Sequence, residues 1–332
     1  MADYLKKSPL LQVKNLSTSF FIDGSPIKVI DDINFKIIRG ETLGIIGESG
    51  CGKTVTSLSI MRLIPKGLGM INSGSVSLDG REILNLPIEE FRKVRGKEIS
   101  MIFQDPMTSL NPVLNIGDQV SEVLKIHTDI NDKEALERVV ELLEIVGIPD
   151  PSKQLKNYPH QLSGGMKQRI MIAMALSLRP KLLIADEPTT ALDVTIQAQI
   201  IQLLKKLKSD HQMSMMMITH DLGVVAQSCD FVIVMYAGKI VESAKVNDLF
   251  SSPKHPYTFG LMKSIISIME TDSEKLYTID GMVPALGKIK AGCSFANRCS
   301  YQKEKCHQES PKLQKISTSH STACHYPLNL TD

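Results

Sequence analysis

The stretch Gly47-Glu48-Ser49-Gly50-Cys51-Gly52-Lys53-Thr54 matches the pattern G-x-x-x-x-G-K-[ST] and decides the fold of this chain. An apolar segment, Thr42 to Ile46, comes directly before it. The residues after it place apolar side chains at helical spacing. A strand, a glycine-rich loop and a helix in this order predict a phosphate-binding loop in an α/β protein.

Each residue type in this loop has a physical task. The glycines let the backbone turn tightly and aim its N–H groups at phosphate oxygens, and the N-terminus of the following helix adds the positive end of its dipole. Lys53 is expected to reach the terminal phosphates, and Thr54 is expected to offer its hydroxyl to Mg²⁺. The alternative, a chance glycine-rich turn, leaves the strand, the Lys-Thr pair and the helix unexplained together.

Composition narrows the class of protein. The chain has 332 residues, enough for one sizeable core domain and something smaller. Its 38 basic and 36 acidic residues give a net charge of +2, which does not indicate a nucleic-acid partner. The longest apolar run, residues 170–178, is far shorter than the roughly 20 residues of a membrane span. The first nine residues do not resemble a signal peptide. We therefore expect a soluble or peripheral protein of the cytosol.

Two segments ahead of the phosphate loop alternate apolar and polar residues. Leu10 to Phe21 and Lys28 to Ile37 predict antiparallel strands, with Asp23-Gly24 as the turn between them. Phe20 and Phe21 lie near the end of the first strand. One of these rings could stack on an adenine base, or both could pack in the core.

A polar residue follows the next predicted strand. Glu98 to Phe103 is apolar and ends on Gln104, and the segment Asp105-Pro106-Met107-Thr108-Ser109-Leu110-Asn111-Pro112 then breaks regular structure. A glutamine in this position can coordinate Mg²⁺ or hold a water molecule while the segment beyond it moves. A solvent-facing loop amide is the alternative.

Two further strands end on residues that carry chemistry. Leu182 to Ala185 is uninterrupted and apolar, which is typical of the middle of a parallel sheet, and it ends in Asp186 and Glu187. Asp186 is expected to hold Mg²⁺ through water, and Glu187 to polarise the water that attacks a γ-phosphate. Met215 to Thr219 ends on His220, which could contact the γ-phosphate. Solvated carboxylates and a structural histidine are the alternatives.

A helical pattern from about Gly117 to Leu155 separates these strands, and Asn131 with Glu134 resembles a capping box within it. Leu162-Ser163-Gly164-Gly165-Met166-Lys167-Gln168-Arg169 follows and opens another helix. Ser163 is placed as N-cap, and the glycines leave the helix N-terminus uncovered for an anion. Because the phosphate loop is already one anion site, this second site predicts a nucleotide held between two chains.

Together these motifs resemble the ATPase subunits of ABC transporters, and the likeness covers residues 8 to 265 or so. In chain order the motifs are the phosphate loop (Walker A), Gln104 (Q-loop), Leu162-Ser163-Gly164-Gly165-Met166 (signature), Ile184-Ala185-Asp186-Glu187 (Walker B), Ala191-Leu192-Asp193 (D-loop) and His220 (switch histidine). The resemblance implies a P-loop NTPase core of the ABC type: an α/β fold with a mixed sheet, an antiparallel β subdomain and a helical subdomain at about 105–165.

Additional motifs narrow the resemblance to the ATPases of oligopeptide and dipeptide importers, in particular to the D-type subunit. They are Phe103-Gln104-Asp105-Pro106 with Thr108-Ser109-Leu110-Asn111-Pro112, Tyr158-Pro159-His160-Gln161, and His255-Pro256-Tyr257-Thr258. This likeness favours Phe20 as the adenine-stacking ring. The same likeness implies that Asp193 of the D-loop is a nucleotide-binding residue.

The family implies a mechanism and a set of partners. Two ATPase chains close head to tail on two ATP molecules, each held between one chain's Gly47–Thr54 loop and the other chain's Ser163, Gly164, Gly165 and Met166. The implied partners are a second ATPase, a homologous F-type chain, two transmembrane permeases and an extracytoplasmic peptide-binding protein. The segment after Gln104 and the helical subdomain would receive coupling helices from the permeases. The implied location is peripheral, on the cytoplasmic face of the inner membrane.

Residues 266–332 form a cysteine-rich C-terminal extension with Cys293, Cys299, Cys306 and Cys324. It resembles the region of these importer ATPases in which an iron–sulfur cluster can be held. Four thiolates suit [4Fe–4S] and also Zn²⁺, and the spacing matches no standard ferredoxin or zinc-knuckle run. Free thiols and oxidative pairing are further alternatives. The histidines that could replace a thiolate at zinc are His307, His320 and His325.

Other functions compete with peptide import. Uptake of nickel or of antimicrobial peptides stays open, because other subunits choose the substrate. Soluble ABC ATPases of DNA repair or translation share the core motifs, but they usually carry a long coiled coil or two cassettes, and this chain has one cassette and no sustained heptad repeat. P-loop kinases and GTPases do not explain Leu162 to Met166.

Overall fold

A computed structural model describes residues 8–105, 109–190, 192–269, 277–284, 287 and 291–329. Four residues of the predicted motifs, Pro106, Met107, Thr108 and Ala191, lie outside these ranges. Within them, every helix is too short or too polar to cross a membrane.

The strands are interspersed with the helices along the chain, singly or in runs of two or three. In chain order they are β1 (Pro9–Ile22), β2 (Ser25–Ile38), β3 (Thr42–Ile46), β4 (Gly69–Leu78), β5 (Arg81–Glu82), β6 (Ile99–Ile102), β7 (Leu182–Asp186), β8 (Ser214–Ile218), β9 (Phe231–Tyr236), β10 (Lys239–Lys245), β11 (Gln314–Lys315) and β12 (His320–Thr322).

The helices are mostly short. In chain order they are α1 (Lys53–Ile60), α2 (Ile88–Val94), α3 (Ile116–His127), α4 (Asp132–Ile145), α5 (Pro151–Gln154), α6 (Gly164–Leu176), α7 (Val194–Asp210), α8 (Leu222–Ser228), α9 (Val246–Ser251), α10 (Pro256–Met269) and α11 (Glu304–Gln308). Pro159–Gln161 and Ala296–Arg298 are 3-10 turns.

The chain divides into two compact units. The first unit comprises the described residues within Met1–Ile37, Glu41–Asn85 and Ile218–Asp332. The second unit comprises those within Ile38–Gly40 and Leu86–Met217.

An antiparallel sheet with the strand order β2-β1-β4-β5 belongs to the first unit. Its central pair, β1 and β4, has Leu11 opposite Leu78 and Val13 opposite Val76. These four side chains are buried, as the alternation of apolar residues in β1 predicts. Both predicted strands exist, and the structure extends them because β1 and β2 continue up to the turn at Asp23-Gly24.

Five further strands of the first unit are neighbours in the order β11-β12-β10-β9-β3, as part of an eight-stranded sheet. Strand β3, which leads into the phosphate loop, is buried along its whole length and pairs in parallel with β9. Strands β9 and β10 form an antiparallel hairpin. Strand β12 then adds to the free edge of β10, with Ala244 opposite His320. Residues near the C-terminus are therefore part of the same compact unit as the phosphate loop.

The second unit contains the parallel strands β6 and β7, paired from Ile99 opposite Leu182 to Ile102 opposite Ala185. Strand β8 lies on the other side of β7, and all of these strands are buried. Helices α3, α4 and α6 pack against one another. The predicted capping box is present at α4, because Asn131 accepts from the backbone of Glu134 and the Glu134 carboxylate accepts from the backbone of Asn131.

Candidate nucleotide-binding site

The phosphate loop runs from the end of β3 to the start of α1, and two of its glycines are sterically required. Gly47 has a φ of 149°, and a Cβ at this position would lie 2.3 Å from the carbonyl oxygen of Met235. Gly52 has a φ of 105°, and its Cβ would approach the carbonyl oxygen of Val29 to 3.2 Å. The close approach of neighbouring backbone thus explains why glycine occupies both positions.

Lys53 is the cation of this loop, and only 6% of it is exposed. Its Nζ donates to the carbonyl oxygen of Gly47 at 2.7 Å and to that of Glu48 at 3.1 Å. These partners are neutral, so they satisfy hydrogens without balancing the charge. No side chain caps the N-terminus of α1, where Thr54 is the second residue. The arrangement therefore provides a cation and open backbone N–H groups for an anion.

Glu48 connects the loop to residues that the sequence reasoning did not assign to the site. Its backbone N–H donates to Oη of Tyr257 at 2.8 Å. Its carboxylate accepts from Nη1 of Arg298, at 3.1 Å to Oε1 and 2.9 Å to Oε2. Burial lowers the pKa of Arg298, but its hydrogen bonds to Glu48 and Tyr236 raise that pKa by more, so the guanidinium stays charged. Tyr257 belonged to a motif that carried the family resemblance, whereas Arg298 had no sequence signal.

The predicted adenine-stacking ring lies in β1. Phe20 is half-buried and lies opposite Gly69 of β4, while Phe21 is exposed. Neither ring is part of the buried core, so the core-packing alternative does not describe them. The absence of a side chain at Gly69 leaves room beside Phe20, whose Cδ1 would lie 3.3 Å from a Cβ there. Adenine stacking on Phe20 stays a prediction.

In the second unit, the parallel pairing of β6 and β7 brings Gln104 and Glu187 together. Gln104 Nε2 donates to Glu187 Oε2 at 3.0 Å, and the Thr190 hydroxyl donates to the same oxygen at 2.9 Å. Glu187 has a φ of 47°, a left-handed conformation that side chains rarely adopt. Asp186, at the end of β7, is 1% exposed. Sequence reasoning predicted three of these residues but missed Thr190.

The signature segment and the D-loop each form the start of a helix. Ser163 caps α6, because its Oγ accepts from the backbone of Met166 at 3.3 Å. Ser163 and Gly164 are exposed, and a Cβ at Gly165 would make a tight contact, at 3.0 Å, with the side chain of Ile196. Asp193 is exposed and caps α7 by accepting from the backbone of Ile196. The predicted N-cap at Ser163 is therefore confirmed.

His220 belongs to the first unit, where it follows the end of β8 and is exposed. The next residue, Asp221, caps α8 by accepting from the backbone of Gly223 and Val224. The strand-end placement of the histidine agrees with the prediction. Its contact with a γ-phosphate stays a prediction.

The four C-terminal cysteines meet around one cavity of about 20 Å³. That volume holds about one water molecule. Burial raises the pKa of three of these thiols, that of Cys324 to about 11. Every cysteine in the described ranges is free of disulfides, and no group of three or more His, Cys, Asp or Glu side chains there has the arrangement of a metal site. Four thiols are suitable ligands for a metal, but the cavity between them has no room for a four-iron cluster. The cluster prediction is therefore not confirmed.

The structure places two of the three histidines suggested as replacements for a thiolate away from the cysteine cavity. Because β12 pairs with β10, the Nε2 of His320 contacts the carboxylate of the buried Glu242 at 2.6 Å. His307 Nε2 contacts Gln302 instead. Of the three suggested histidines, His325 lines the cavity, together with His255, which the sequence reasoning did not consider.

Comparisons with known proteins agree with this geometry. Residues 30–190 match the family model described as ABC transporter, and residues 241–306 match that described as oligopeptide/dipeptide transporter, C-terminal region. The oligopeptide transport ATP-binding protein AppD of Bacillus subtilis is 50% identical, and the alignment covers 96% of each chain. The dipeptide transport ATP-binding protein DppD of Haemophilus influenzae is 49% identical, again over 96% of each chain.

A solved structure is also similar. A dimeric ATP-binding cassette in a post-hydrolysis state, bound to ADP and Pi, superposes with a TM-score of 0.64 at 28% identity, over 71% of this chain and 98% of that chain. The relatives match almost the whole of this chain at about half identity, and the two family models cover its core and its C-terminal part. The chain therefore belongs to the ABC-transporter ATP-binding proteins, in the branch that carries the oligopeptide/dipeptide transporter C-terminal region.

Proposed function

We propose that this chain is the ATP-hydrolysing, energy-coupling subunit of an importer of peptides. The observation that carries the proposal is the phosphate loop, in which the buried Lys53 ammonium has neutral carbonyl partners beside an uncapped helix N-terminus. Such a site gains most from an anion with several oxygens, such as a nucleotide triphosphate. The names of the relatives, which refer to oligopeptide and dipeptide transport, support the substrate class.

The proposed chemistry is attack of water on the γ-phosphate of ATP. Glu187 accepts a proton from that water, and Gln104 and Thr190 keep its carboxylate oriented through their bonds to Oε2. Lys53 stabilises charge on the terminal phosphates, and His220 contacts the γ-phosphate.

The other proposed ligands fall into two groups, those that bind Mg²⁺ and those that bind the nucleotide. The hydroxyl, amide and carboxylate oxygens of Thr54, Gln104 and Asp186 are oxygen donors of the type that Mg²⁺ prefers, and the ion would balance phosphate charge. The proposed nucleotide ligands are Phe20, Gly47, Glu48, Ser49, Gly50, Cys51, Gly52, Lys53, Thr54, Ser163, Gly164, Gly165, Met166 and Asp193.

We further propose that two ATPase chains share each nucleotide. The exposed N-terminus of α6, with Ser163 and Gly164, presents open N–H groups and a hydroxyl to the ATP bound by the partner chain's phosphate loop. The similar cassette bound to ADP and Pi is a dimer, which supports this arrangement. The proposed partner is a homologous F-type ATPase.

The remaining proposed partners are two transmembrane permeases and an extracytoplasmic peptide-binding protein, which place the chain on the cytoplasmic face of the inner membrane. Exposed apolar side chains in the segment after Gln104 and on α3 support contact with the permeases. Val113 is 75% exposed and Ile126 is 68% exposed. The proposed domains are residues 8–265 for the ATPase, with its helical subdomain at about 105–165, and residues 266–332 for the extension.

We also propose that Cys293, Cys299, Cys306 and Cys324 are ligands of a [4Fe–4S] cluster or of Zn²⁺. Support comes from their convergence on one cavity, and binding would require the thiols to lose protons and move apart. Anaerobic purification followed by analysis of iron, sulfide and zinc tests this proposal. We expect bound metal that is lost in Cys299→Ser and kept in Cys229→Ser, a buried cysteine in another part of the fold. A full-length protein without metal would exclude both alternatives.

The experiment that tests the main proposal is affinity purification of the tagged chain from gently solubilised membranes of its native cell. We expect two multi-spanning permeases and a second ATPase among the co-purifying proteins. Reconstituted with them in vesicles, the complex should consume ATP faster when the binding protein is loaded with peptide. If nickel or an antimicrobial peptide stimulates ATP consumption instead, that compound would be assigned as the substrate. Recovery with nucleic-acid proteins alone would indicate a soluble ABC ATPase and reject transport.

A further inference from the structure

We propose that Arg298 is a positioning residue for the phosphate loop, through which the C-terminal segment sets the affinity of this chain for ATP. This inference rests on the proposed function, because it concerns the same nucleotide site. Arg298 and Glu48 are 250 residues apart in sequence, yet Nη1 of Arg298 lies within hydrogen-bond distance of both Glu48 carboxylate oxygens. The same nitrogen also lies 3.3 Å from Oη of Tyr236.

Each of the three nitrogens of the Arg298 guanidinium has a hydrogen-bond partner. Its Nε donates to the carbonyl oxygen of Asp280 at 2.8 Å, and its Nη2 donates to that of Ile279 at 3.3 Å. The Arg298 side chain is 8% exposed, and that of Glu48 is 27% exposed. Most exposed ion pairs contribute little, because water screens them and their side chains are mobile. The Arg298–Glu48 pair is instead largely shielded and held in one geometry.

Tyr257 provides a second connection to the same loop residue. Its hydroxyl accepts the backbone N–H of Glu48, and the ring is fully buried. The ring packs against Tyr236, with centroids 4.7 Å apart, and against Phe295, with centroids 5.4 Å apart. Glu48 is thus held at its backbone N–H by Tyr257, at its carboxylate by Arg298 and at its carbonyl oxygen by Lys53.

Glu48 would be unfavourable beside phosphates if its charge were not balanced. Its carboxylate belongs to the loop whose backbone is expected to surround phosphate oxygens, so an unpaired negative charge there opposes ATP binding. Arg298 balances this charge and fixes the direction of the side chain. In sequence Arg298 lies between Cys293 and Cys299, both of which line the cysteine cavity.

The experiment is a double-mutant cycle on ATP binding by the full-length chain, measured by isothermal titration calorimetry. The variants are Arg298→Ala, Glu48→Gln and the double variant. We expect Arg298→Ala to weaken ATP binding about tenfold in the natural background, as coupling between contacting charged residues predicts. In the Glu48→Gln background the same change should weaken binding less than about threefold, because the charge to be balanced is absent. Arg298→Lys, which keeps the charge, should fall between the natural chain and Arg298→Ala.

Arg92→Ala is the matched control, because Arg92 forms an ion pair with Glu89 in which both side chains are mostly exposed. We expect it to bind ATP as the natural chain does. Equal losses in both Arg298 backgrounds, or no loss in a folded Arg298→Ala variant, would overturn the inference. If Arg298→Ala does not fold, Arg298→Lys is compared in the two Glu48 backgrounds, with a smaller loss of ATP affinity expected in the Glu48→Gln background and equal losses overturning the inference. A natural chain that binds no ATP would instead reject the proposed function.

Discussion

Replacing Lys53 by alanine tests the candidate nucleotide site at its most specific contact. The ammonium is buried and donates to two neutral carbonyl oxygens of its own loop, so ATP would be the first partner to balance its charge. A hydrogen bond to a charged group contributes about 1.5–3 kcal/mol. At about 1.4 kcal/mol for each factor of ten, Lys53→Ala should weaken ATP binding roughly 10- to 150-fold.

The assay is calorimetric titration of ATP into the full-length variant in the presence of Mg²⁺. Lys14→Ala is the control, because it removes the same charge from an exposed position on β1. Thermal unfolding of each variant verifies that the loop change has not unfolded the protein. A folded Lys53→Ala variant that binds ATP within twofold of the Lys14→Ala control would refute the role of this lysine.

Three further predictions concern other residues. Glu187→Gln should keep ATP binding but lower phosphate release by about 100-fold or more, and near-normal turnover would remove Glu187 from its role. Cys51 is buried, and burial raises its pKa, so it should alkylate slowly. Once alkylated, as followed by mass spectrometry, it should block ATP, whereas treated Cys51→Ser still binds; unchanged affinity after full modification would contradict this. Glu242→Ala removes the buried carboxylate that contacts the buried His320 and should lower the free energy of unfolding in urea by about 1–3 kcal/mol, the cost of leaving a buried polar group without its partner; a loss below about 0.5 kcal/mol would count against this contact.

The parts of the site that the sequence predicted well are local. The phosphate loop follows from glycines that the backbone requires and from a strand and a helix whose periodicity is visible over a few residues. The N-cap at Ser163 and the capping box at Asn131 are likewise fixed by neighbours within one helical turn. The strand-end positions of Gln104 and Glu187 were predicted because each follows its own apolar run.

The contact between Gln104 and Glu187 could not be predicted from the two segments separately, because it depends on how their strands pair. Two residues that follow neighbouring parallel strands share one edge of a sheet, but only the pairing of β6 with β7 makes them neighbours. Thr190 joined them through a turn whose geometry a sequence pattern does not specify. The suggestion that His320 could bind metal was wrong for the same reason, because pairing of β12 with β10 places it beside Glu242.

By itself, the sequence determined that this chain has a phosphate loop, a second helix start capped by Ser163, the strand-end residues of an ABC ATPase and four clustered cysteines. Each of these is encoded within a short segment, where spacing and residue type fix the local geometry. Only the tertiary structure decided that Arg298 and Tyr257 contact Glu48. Such contacts arise when distant segments pack into one core, and no periodic pattern records which side chains then meet.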